Sequence, residues 1–268
     1  MQDFSEYLDF TKELAISSGK ILSKHFGNIK SINQKSTNID LVTNADLESE
    51  AFIVKSIQKK FPSHTIITEE NQLEIKNSDF RWVIDPLDGT TNFVHNLPIF
   101  GVSVALQYQN KTIIGVVYNP AANKLFFASL NKGAYLNDKK ISVSSSKTLN
   151  KSLIVTGFPY LHDKKWGLLF DIFKDFYSET RGVRRLGAAA LDLCFVAMGR
   201  FEGFYEYGLK PWDICAGSII AKEAGAKVTD WNNKEFPFSG IRILATNGKI
   251  HNEMVKTLNK EQFKAFYI

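Results

Sequence analysis

Apolar side chains recur every three or four positions along residues 3–26, and this spacing predicts an amphipathic helix. A second helix is expected to begin near Thr43 and to end before Pro62. The segment between the two helices, INQKSTNID, is polar and predicts a loop. The first quarter of the chain is therefore expected to be mainly helical.

From residue 64 onward, the pattern changes to short apolar runs that predict strands. The runs HTIIT and FRWVI come first, and the second is expected to stop at Asp85. IFGVSVALQY and TIIGVVYN follow as a hairpin around residues 109–111, and NKLFFAS and GAYLN continue the β-rich section. The polar stretch at residues 142–152 is the predicted internal boundary.

The second half of the chain alternates between predicted strands and predicted helices. SLIVTGF, FEGFYEYG, KVTDW and RILATN predict strands, whereas KKWGLLFDIFKDFY, AAALDLCFVAMG, DICAGSIIAKEAG and HNEMVKTLNK predict helices. Interleaved elements of this kind favour an α/β or α+β layered sandwich. We expect one catalytic unit over residues 1–268, with subdomains of about 1–145 and 146–268.

Composition supports a folded protein and is compatible with an anionic substrate. The 268 residues are 44% hydrophobic and include 21 Phe, which is enough for a substantial core. The net charge of +5 is spread along the chain, so it is compatible with an anionic substrate and indicates nucleic acid only weakly. Cys194 and Cys215 lie in apolar surroundings without a C-x-x-C or zinc pattern, which predicts two buried thiols.

No segment of the sequence predicts a targeting signal or a membrane span. The first residues, MQDFSEYLDF, lack the basic region and the apolar region of a signal peptide. No apolar run approaches the roughly 20 residues that a membrane-spanning helix needs. A soluble, cytoplasmic protein without a membrane partner is the expectation.

The stretch WVIDPLDGTTN, residues 82–92, concentrates groups suited to phosphate chemistry. Residues three apart in a regular strand point to opposite faces, but a turn at Pro86 would bring Asp85 and Asp88 together. Gly89 leaves backbone N–H groups available to an anion. One phosphatase class uses an aspartate nucleophile in a D-x-D-G-T motif, and the extra residue here disfavours that mechanism. A simple polar turn is the other alternative.

Other acidic residues also lie where a predicted strand ends or a predicted helix begins: Glu69, Glu70 and Asp213. Such positions converge at one edge of a sheet, and convergent carboxylates suit Mg²⁺. Taken singly, each has a simpler explanation. Glu69 and Glu70 fit a solvated turn, Asp213 fits a helix cap, and Asp46 fits a capping box with Thr43.

The motifs WVIDPLDGTTNF and PWDICAG together resemble the paired signatures of the inositol monophosphatase family of Mg²⁺-dependent, lithium-sensitive phosphatases. DLVTNAD, TEE and GAAALDLCFVAMGRFEGFYEYG resemble further family motifs in the family's order, so the resemblance covers nearly the whole chain. The bacterial inositol-1-monophosphatases are the most similar group. The resemblance implies a layered αβαβα sandwich of the inositol monophosphatase/fructose-1,6-bisphosphatase type, and a homodimer.

The resemblance also implies a site with two or three Mg²⁺ ions. Glu69, Asp85 and the carbonyl of Leu87 would hold the first ion, and Asp85 would bridge to a second held by Asp88 and Asp213. Asp46 and Thr90 would be the catalytic pair that activates the attacking water. The residues implied in substrate binding are Lys35, Asp88, Gly89, Thr90, Ala189, Glu206 and Asp213.

Thr68 and Cys215 depart from the family pattern, and His95 is a histidine close to the central motif. Thr68 stands where a small residue, often Gly, is usual, and its hydroxyl is expected to bond locally. Cys215 replaces an Ala, and we expect an inert buried thiol there. His95 follows the central motif, but a single His without spaced partners fits a packing or hydrogen-bonding role better than a general acid.

The favoured function is hydrolysis of inositol monophosphate by a Mg²⁺-dependent phosphomonoesterase. Fructose 1,6-bisphosphate, histidinol phosphate and 3′-phosphoadenosine 5′-phosphate are alternative substrates of the same architecture. An RNA- or protein-binding regulatory factor is the alternative from another class, suggested by the pI of about 9.0 and by Arg181, Arg184 and Arg185. The absence of a stacking motif and of a basic tail disfavours it. The same arginines also suit the expected dimer interface.

Overall fold

The computed structural model describes residues 4–35, 40–71, 73–160, 163–236 and 241–267. Within these ranges the helices are α1 Ser5–His25, α2 Asn44–Lys60, α3 Thr90–Val94, α4 Trp166–Glu179, α5 Ala189–Ala197, α6 Pro211–Glu223 and α7 His251–Leu258. The strands are β1 Ile32–Gln34, β2 Leu41–Thr43, β3 Thr65–Thr68, β4 Phe80–Asp88, β5 Gly101–Tyr108, β6 Lys111–Asn119, β7 Lys124–Ser129, β8 Ala134–Leu136, β9 Lys139–Ile141, β10 Leu153–Thr156, β11 Gly182–Arg184, β12 Gly203–Tyr207, β13 Lys227–Thr229 and β14 Arg242–Thr246. Short 3₁₀ helices cover Leu149–Lys151 and Glu261–Phe266.

The described strands form two main sheets and one small ribbon. The larger sheet has the order β3-β4-β5-β6-β7-β8-β9, parallel between β3 and β4 and antiparallel elsewhere. The second sheet has the order β11-β10-β12-β14-β13, in which β10 is parallel to both of its neighbours. β1 and β2 pair as a separate antiparallel ribbon.

Helices separate and cover the two sheets, which gives five layers. α1 and α2 pack together on one face of the larger sheet, while α6 packs against β5 and β6. α5 lies beside α6 and contacts β12, so these two helices fill the space between the sheets. α4 contacts β11 and α7 on the second sheet. The predicted αβαβα sandwich is confirmed.

Alternation of side chains along the strands explains why three apolar layers form. Trp82 and Ile84 of β4 pack toward α1 and α2, whereas Val83 between them faces the central layer. In β10, Val155 joins the central layer and Ile154 joins the core beneath α4 and α7. Both faces of each sheet are therefore buried, which fits the nearly continuous apolar runs of the central strands.

The sequence interpretation needs three local corrections. The segment INQKSTNID is not simply a loop, because Ile32–Gln34 forms β1; residues 36–39 lie outside the described part of the chain. β4 does not stop at Asp85 but continues through Pro86 to Asp88. α6 begins at Pro211, so Asp213 lies inside its first turn rather than capping a helix that starts at Ile214.

The predicted boundary near residue 145 falls between the last strand of the larger sheet, β9, and the first strand of the second sheet, β10. α6 nevertheless contacts β6 of the larger sheet as well as β13 of the second. The division into two subdomains within one unit stays a prediction.

Candidate active site

A β-bulge near the end of β4 brings Asp85 and Asp88 to one cavity. Asp85 is opposite Ser103 on β5, whereas Asp88 is opposite Gly101, so β4 has one more residue than β5 in this interval. The extra residue reverses the normal alternation, and side chains three apart then reach the same side of the sheet. Pro86 fits here because a bulge leaves a residue without a ladder hydrogen bond.

Both aspartates are buried and held by backbone N–H groups. Oδ1 of Asp85 accepts a hydrogen bond from the N–H of Leu87 at 3.0 Å. The two oxygens of Asp88 accept from Ala189 at 3.1 Å and from Ala190 at 2.9 Å. Asp88 therefore ties the end of β4 to the first turn of α5, about a hundred residues later in the chain.

Asp213 reaches the same cavity from the first turn of α6. Pro211 opens the helix, where its missing N–H costs no helical hydrogen bond. Oδ2 of Asp213 accepts from the N–H of Lys210 at 2.6 Å. The other carboxylate oxygen is thereby left to face other partners, so a capping interaction and a ligand role are compatible for this residue.

Glu69 lies in the turn after β3, and the buried carboxylate of Glu50 holds this turn in place. Glu50, on α2, accepts hydrogen bonds from the Thr68 hydroxyl at 2.5 Å, from the N–H of Glu70 at 3.0 Å and from the side chain of Asn71. Lys35 donates to Glu69 at 2.8 Å and also to Glu70. The expected local bond of the Thr68 hydroxyl is thus to Glu50.

Thr90 and Asp46 form a buried pair beneath the cavity. The Thr90 hydroxyl lies 3.1 Å from Oδ1 of Asp46 and 3.0 Å from the carbonyl of Leu87. The capping box is also present, because Oδ2 of Asp46 accepts from the N–H of Thr43 at 2.8 Å. Asp46 therefore uses one oxygen to cap α2 and the other to reach Thr90.

Gly89 makes the turn between β4 and α3. Its φ of 90° lies in the left-handed region, which glycine adopts without steric cost. A Cβ on Gly89 would also lie 2.9 Å from the carbonyl oxygen of Ile99. Both observations require glycine here if the backbone is to approach the cavity.

One cavity of about 360 Å³ collects most of the predicted site residues. Asp46 does not line it and lies behind Thr90, to which it is hydrogen-bonded. Glu206 enters from β12 and packs on Gly157, where a Cβ would lie too close to the Glu206 carboxyl group. The predicted residues on the wall are Lys35, Glu69, Asp85, Leu87, Asp88, Gly89, Thr90, Ala189, Glu206 and Asp213.

Simultaneous ionisation of the carboxyl groups in this cavity is energetically unfavourable. Burial raises the pKa of Asp85 well above its ordinary value, and the nearby charges of Glu69 and Asp88 add to the effect. Burial also raises the pKa of Asp213, and it raises the pKa of Asp88 to about 7 despite the N–H groups bonded to it. A cation would remove this cost, because it would stabilise the ionised forms.

The donor set fits a hard divalent cation such as Mg²⁺. Every candidate ligand offers oxygen, from four carboxylates and the carbonyl of Leu87, and no thiolate or imidazole lines the described cavity. Within the described residues, no three His, Cys, Asp or Glu side chains are close enough to enclose a metal by themselves. Mg²⁺ does not require such an enclosure, since it keeps water and takes substrate phosphate as ligands.

The cavity lining also includes residues that the sequence did not assign to the site, among them Tyr160, Arg185 and Asp192. Arg185 was grouped with Arg181 and Arg184 as a surface or interface residue; it is exposed, and it also lies over Gly187 at the cavity wall. Asp192 falls within an apolar helix, and a buried acidic residue in such a segment is the signal that could have identified it. For Tyr160, no sequence signal was available.

The two cysteines lie as expected. Cys194 and Cys215 are buried free thiols, and burial raises the pKa of Cys215 to about 12, which opposes thiolate formation. His95 is exposed after α3 and is not among the described residues that line the cavity.

Comparison with known proteins agrees with this architecture. The model of the inositol monophosphatase family matches residues 3–262, and the chain belongs to that family. It is 42% identical to an inositol-1-monophosphatase of Synechocystis sp. over 96% of this chain and 90% of the relative. It is also 42% identical to Nus factor SuhB of Pasteurella multocida, over 95% of each chain.

A solved structure shows the same fold. The extragenic suppressor protein suhB of Bartonella henselae superposes with a TM-score of 0.91 at 35% identity, covering 96% of this chain and 99% of that one. Along the described parts of the chain, no helix combines the length and apolar character that a membrane span needs.

Proposed function

We propose that this protein is a Mg²⁺-dependent phosphomonoesterase that hydrolyses inositol monophosphate to inositol and phosphate. The observation that carries the proposal is the convergence of Asp85, Asp88 and Asp213 on one cavity, where burial raises the pKa of each. Membership of the inositol monophosphatase family supports the same chemistry.

Two or three Mg²⁺ ions would be held by the carboxylates that line the cavity. Glu69, Asp85 and the carbonyl of Leu87 would hold one, and Asp85, Asp88 and Asp213 would hold a second. When bound, Mg²⁺ supplies positive charge for the phosphate dianion and makes the attacking water more acidic. The chain's own contribution is to keep these oxygens fixed through the N–H groups of Leu87, Ala189 and Lys210.

Asp46 and Thr90 would orient the attacking water and take its proton. The Thr90 hydroxyl has one hydrogen and two acceptors within reach, Asp46 and the Leu87 carbonyl. When it donates to Asp46, its oxygen lone pairs are left to accept a hydrogen bond from a water at the cavity wall. This is the arrangement required of a general base acting through a hydroxyl group.

The remaining predicted residues would bind the substrate. The backbone N–H groups of Gly89 and Thr90 would contact the phosphate, and Lys35 would attract it at the cavity mouth. Ala189 and Glu206 would face the cyclitol or sugar hydroxyls, and the ligands Asp88 and Asp213 would lie beside the ester. This arrangement provides for both halves of a phosphomonoester.

A Mg²⁺ titration over a substrate panel tests the proposal. We expect turnover of myo-inositol 1-phosphate to exceed that of fructose 1,6-bisphosphate, histidinol phosphate and 3′-phosphoadenosine 5′-phosphate. Asp85→Asn and Asp213→Asn should each lower kcat/KM by at least about 10³-fold while the protein stays folded. Asp171→Asn, an exposed carboxylate on α4, is the matched control. Unchanged kcat/KM in both site variants would refute the assignment.

A second candidate function is RNA or protein binding. It is favoured by the relative named Nus factor SuhB and by the exposed side chains of Arg181 and Arg184. Salt-dependent RNA binding by the Asp85→Asn variant, lost on replacing both arginines with Ala, would support it. No RNA binding at low salt would remove RNA from consideration.

The homodimer implied by the resemblance is likewise a proposal, with β11 and the adjoining arginines as its interface. Sedimentation of the wild-type chain and of Arg184→Ala would test it, because loss of the interface would shift the protein toward the monomer.

A further inference from the structure

One wall of the cavity contains a buried carboxyl group that the proposed metal site does not use. Asp192 lies in the first turn of α5 and is only 1% exposed, yet it lines the cavity. Its Oδ1 has no hydrogen-bond partner among the described residues. A buried acceptor without a partner is disfavoured in a folded protein. An acceptor of this kind on a residue that lines a cavity indicates a ligand that donates to it.

The position of Asp192 is fixed relative to the phosphate end of the cavity. α5 is anchored by the hydrogen bonds from Ala189 and Ala190 to Asp88. Asp192 follows within the same helical turn, so movement of its backbone would also disturb Asp88. The distance between a carboxyl on this helix and the reacting phosphate is therefore set by the fold rather than by a loop.

The charges around Asp192 favour a neutral donor over a second phosphate. Burial raises the pKa of Asp192 well above its ordinary value; the charge of Glu206 adds to the rise and that of Arg185 opposes it. Two carboxyl groups thus lie within electrostatic range of one guanidinium on this part of the wall. A phosphate dianion placed there would further oppose the ionisation of both carboxyl groups, whereas a hydroxyl that donates to Oδ1 would favour the ionised form of Asp192.

We propose that Asp192 is a specificity-determining residue, whose Oδ1 accepts a hydrogen bond from a hydroxyl of the alcohol half of the substrate and which disfavours bisphosphates. The inference rests on the proposed phosphomonoesterase function and adds to it a residue that recognises the alcohol half of the substrate. Asp192 and Glu206 would then recognise the alcohol, whereas the proposed metal ligands and their ions would recognise the phosphate.

The test compares two phosphate esters in wild-type and variant proteins. Asp192→Ala should lower kcat/KM for myo-inositol 1-phosphate by about 10–100-fold, the effect of losing one hydrogen bond to a charged acceptor. The same variant should change kcat/KM for p-nitrophenyl phosphate, whose leaving group has no further hydroxyl, by less than about 3-fold. Asp171→Ala is the control for removing a carboxylate elsewhere on the chain.

Asp192→Asn provides a near-isosteric second variant that tests the charge. It should raise the ratio of kcat/KM for fructose 1,6-bisphosphate to that for inositol 1-phosphate by at least about 5-fold, because Asn cannot ionise and its amide N–H can donate to a phosphate oxygen. Equal losses on both esters in Asp192→Ala, or an unchanged ratio in Asp192→Asn, would overturn the inference. Absence of Mg²⁺-dependent turnover of any ester by the wild-type protein would overturn the proposed function and this inference with it.

Discussion

The hydroxyl of Thr90 lies 3.1 Å from the carboxylate of Asp46, a residue 44 positions earlier in the chain. This contact joins the first turn of α2 to the first turn of α3 beneath the cavity. Because Thr90 can also donate to the Leu87 carbonyl, Asp46 determines how often the hydroxyl points away from that carbonyl. The pair is therefore suited to control a water molecule at the cavity wall.

Replacing Thr90 with Val tests this arrangement. Val keeps the β-branched shape but removes the hydroxyl, so we expect kcat to fall by about 10²–10⁴-fold, the usual contribution of a positioned general base. Thr90→Ser keeps the hydroxyl and should retain kcat within about 10-fold. Steady-state kinetics at saturating Mg²⁺ would measure both, with circular dichroism to verify the fold. Equal kcat values for the Val and Ser variants would contradict the role.

Replacing Thr68 tests the turn after β3, which contains Glu69 and is held by the carboxylate of Glu50. Thr68→Ala removes the hydrogen bond to Glu50, and we expect it to lower the free energy of unfolding by about 1–2 kcal/mol. The looser turn should also raise the Mg²⁺ concentration needed for half-maximal activity. Thr68→Ser keeps the hydroxyl and is the control. Identical Mg²⁺ dependence in the two variants would show that the turn does not need this bond.

Much of the fold could be predicted from the sequence because its signals are local. Apolar periodicity located the long helices α1, α2, α4 and α6, and a small-residue apolar segment located α5. The predicted stop of β4 at Asp85 was wrong, because a proline can occupy a bulge when the partner strand shifts register by one residue. That shift depends on the pairing of β4 with β5, which the local pattern of β4 does not show.

For the site, motif order could predict which residues share a cavity but not how they are held. Neither the two N–H groups of α5 that bind Asp88 nor the contact between Glu50 and Thr68 follows from spacing along the chain. Arg185 was grouped with other surface or interface arginines, and only the fold shows that this exposed residue also borders the cavity. These are long-range contacts, which a single sequence does not encode in its local pattern.

Lithium should inhibit the proposed activity. A small monovalent ion can occupy a Mg²⁺ position while supplying only half its charge to the carboxylates and the phosphate. We expect inhibition in the millimolar range that is partly relieved by more Mg²⁺. Assays with NaCl at the same ionic strength provide the control, and full activity at high millimolar LiCl would contradict the prediction.

Glu206 should make the metal-free protein less stable as the pH rises. Burial raises the pKa of Glu206 from 4.5 to about 8, so the folded state keeps a proton that the unfolded state has lost. Its stabilising contribution is therefore complete below pH 4.5 and lost as the pH rises through about 8. Thermal unfolding in chelator should show a fall in Tm across this window that is smaller in Glu206→Gln. Parallel curves for the two proteins would contradict it.

His251 should have the opposite effect on stability, because it should make the protein less stable as the pH falls. Thr229 donates its hydroxyl to the Asp230 carbonyl, so it accepts from Nε2 of His251, whose Nδ1 then accepts from Thr246. A neutral ring fits this pocket, and burial lowers the pKa of His251 from 6.5 to about 4. The unfolded chain therefore takes up a proton first, and stability present above pH 6.5 is lost as the pH falls toward 4.

We expect this group to account for about 2 kcal/mol of the loss of unfolding free energy over that interval. Denaturant unfolding at a series of pH values would measure it. His251→Gln should be less stable at neutral pH but show a shallower decline on acidification, because its side chain does not titrate. His95→Gln removes an exposed histidine and should decline as the wild type does. A wild-type slope that survives in His251→Gln would assign the acid sensitivity to other groups.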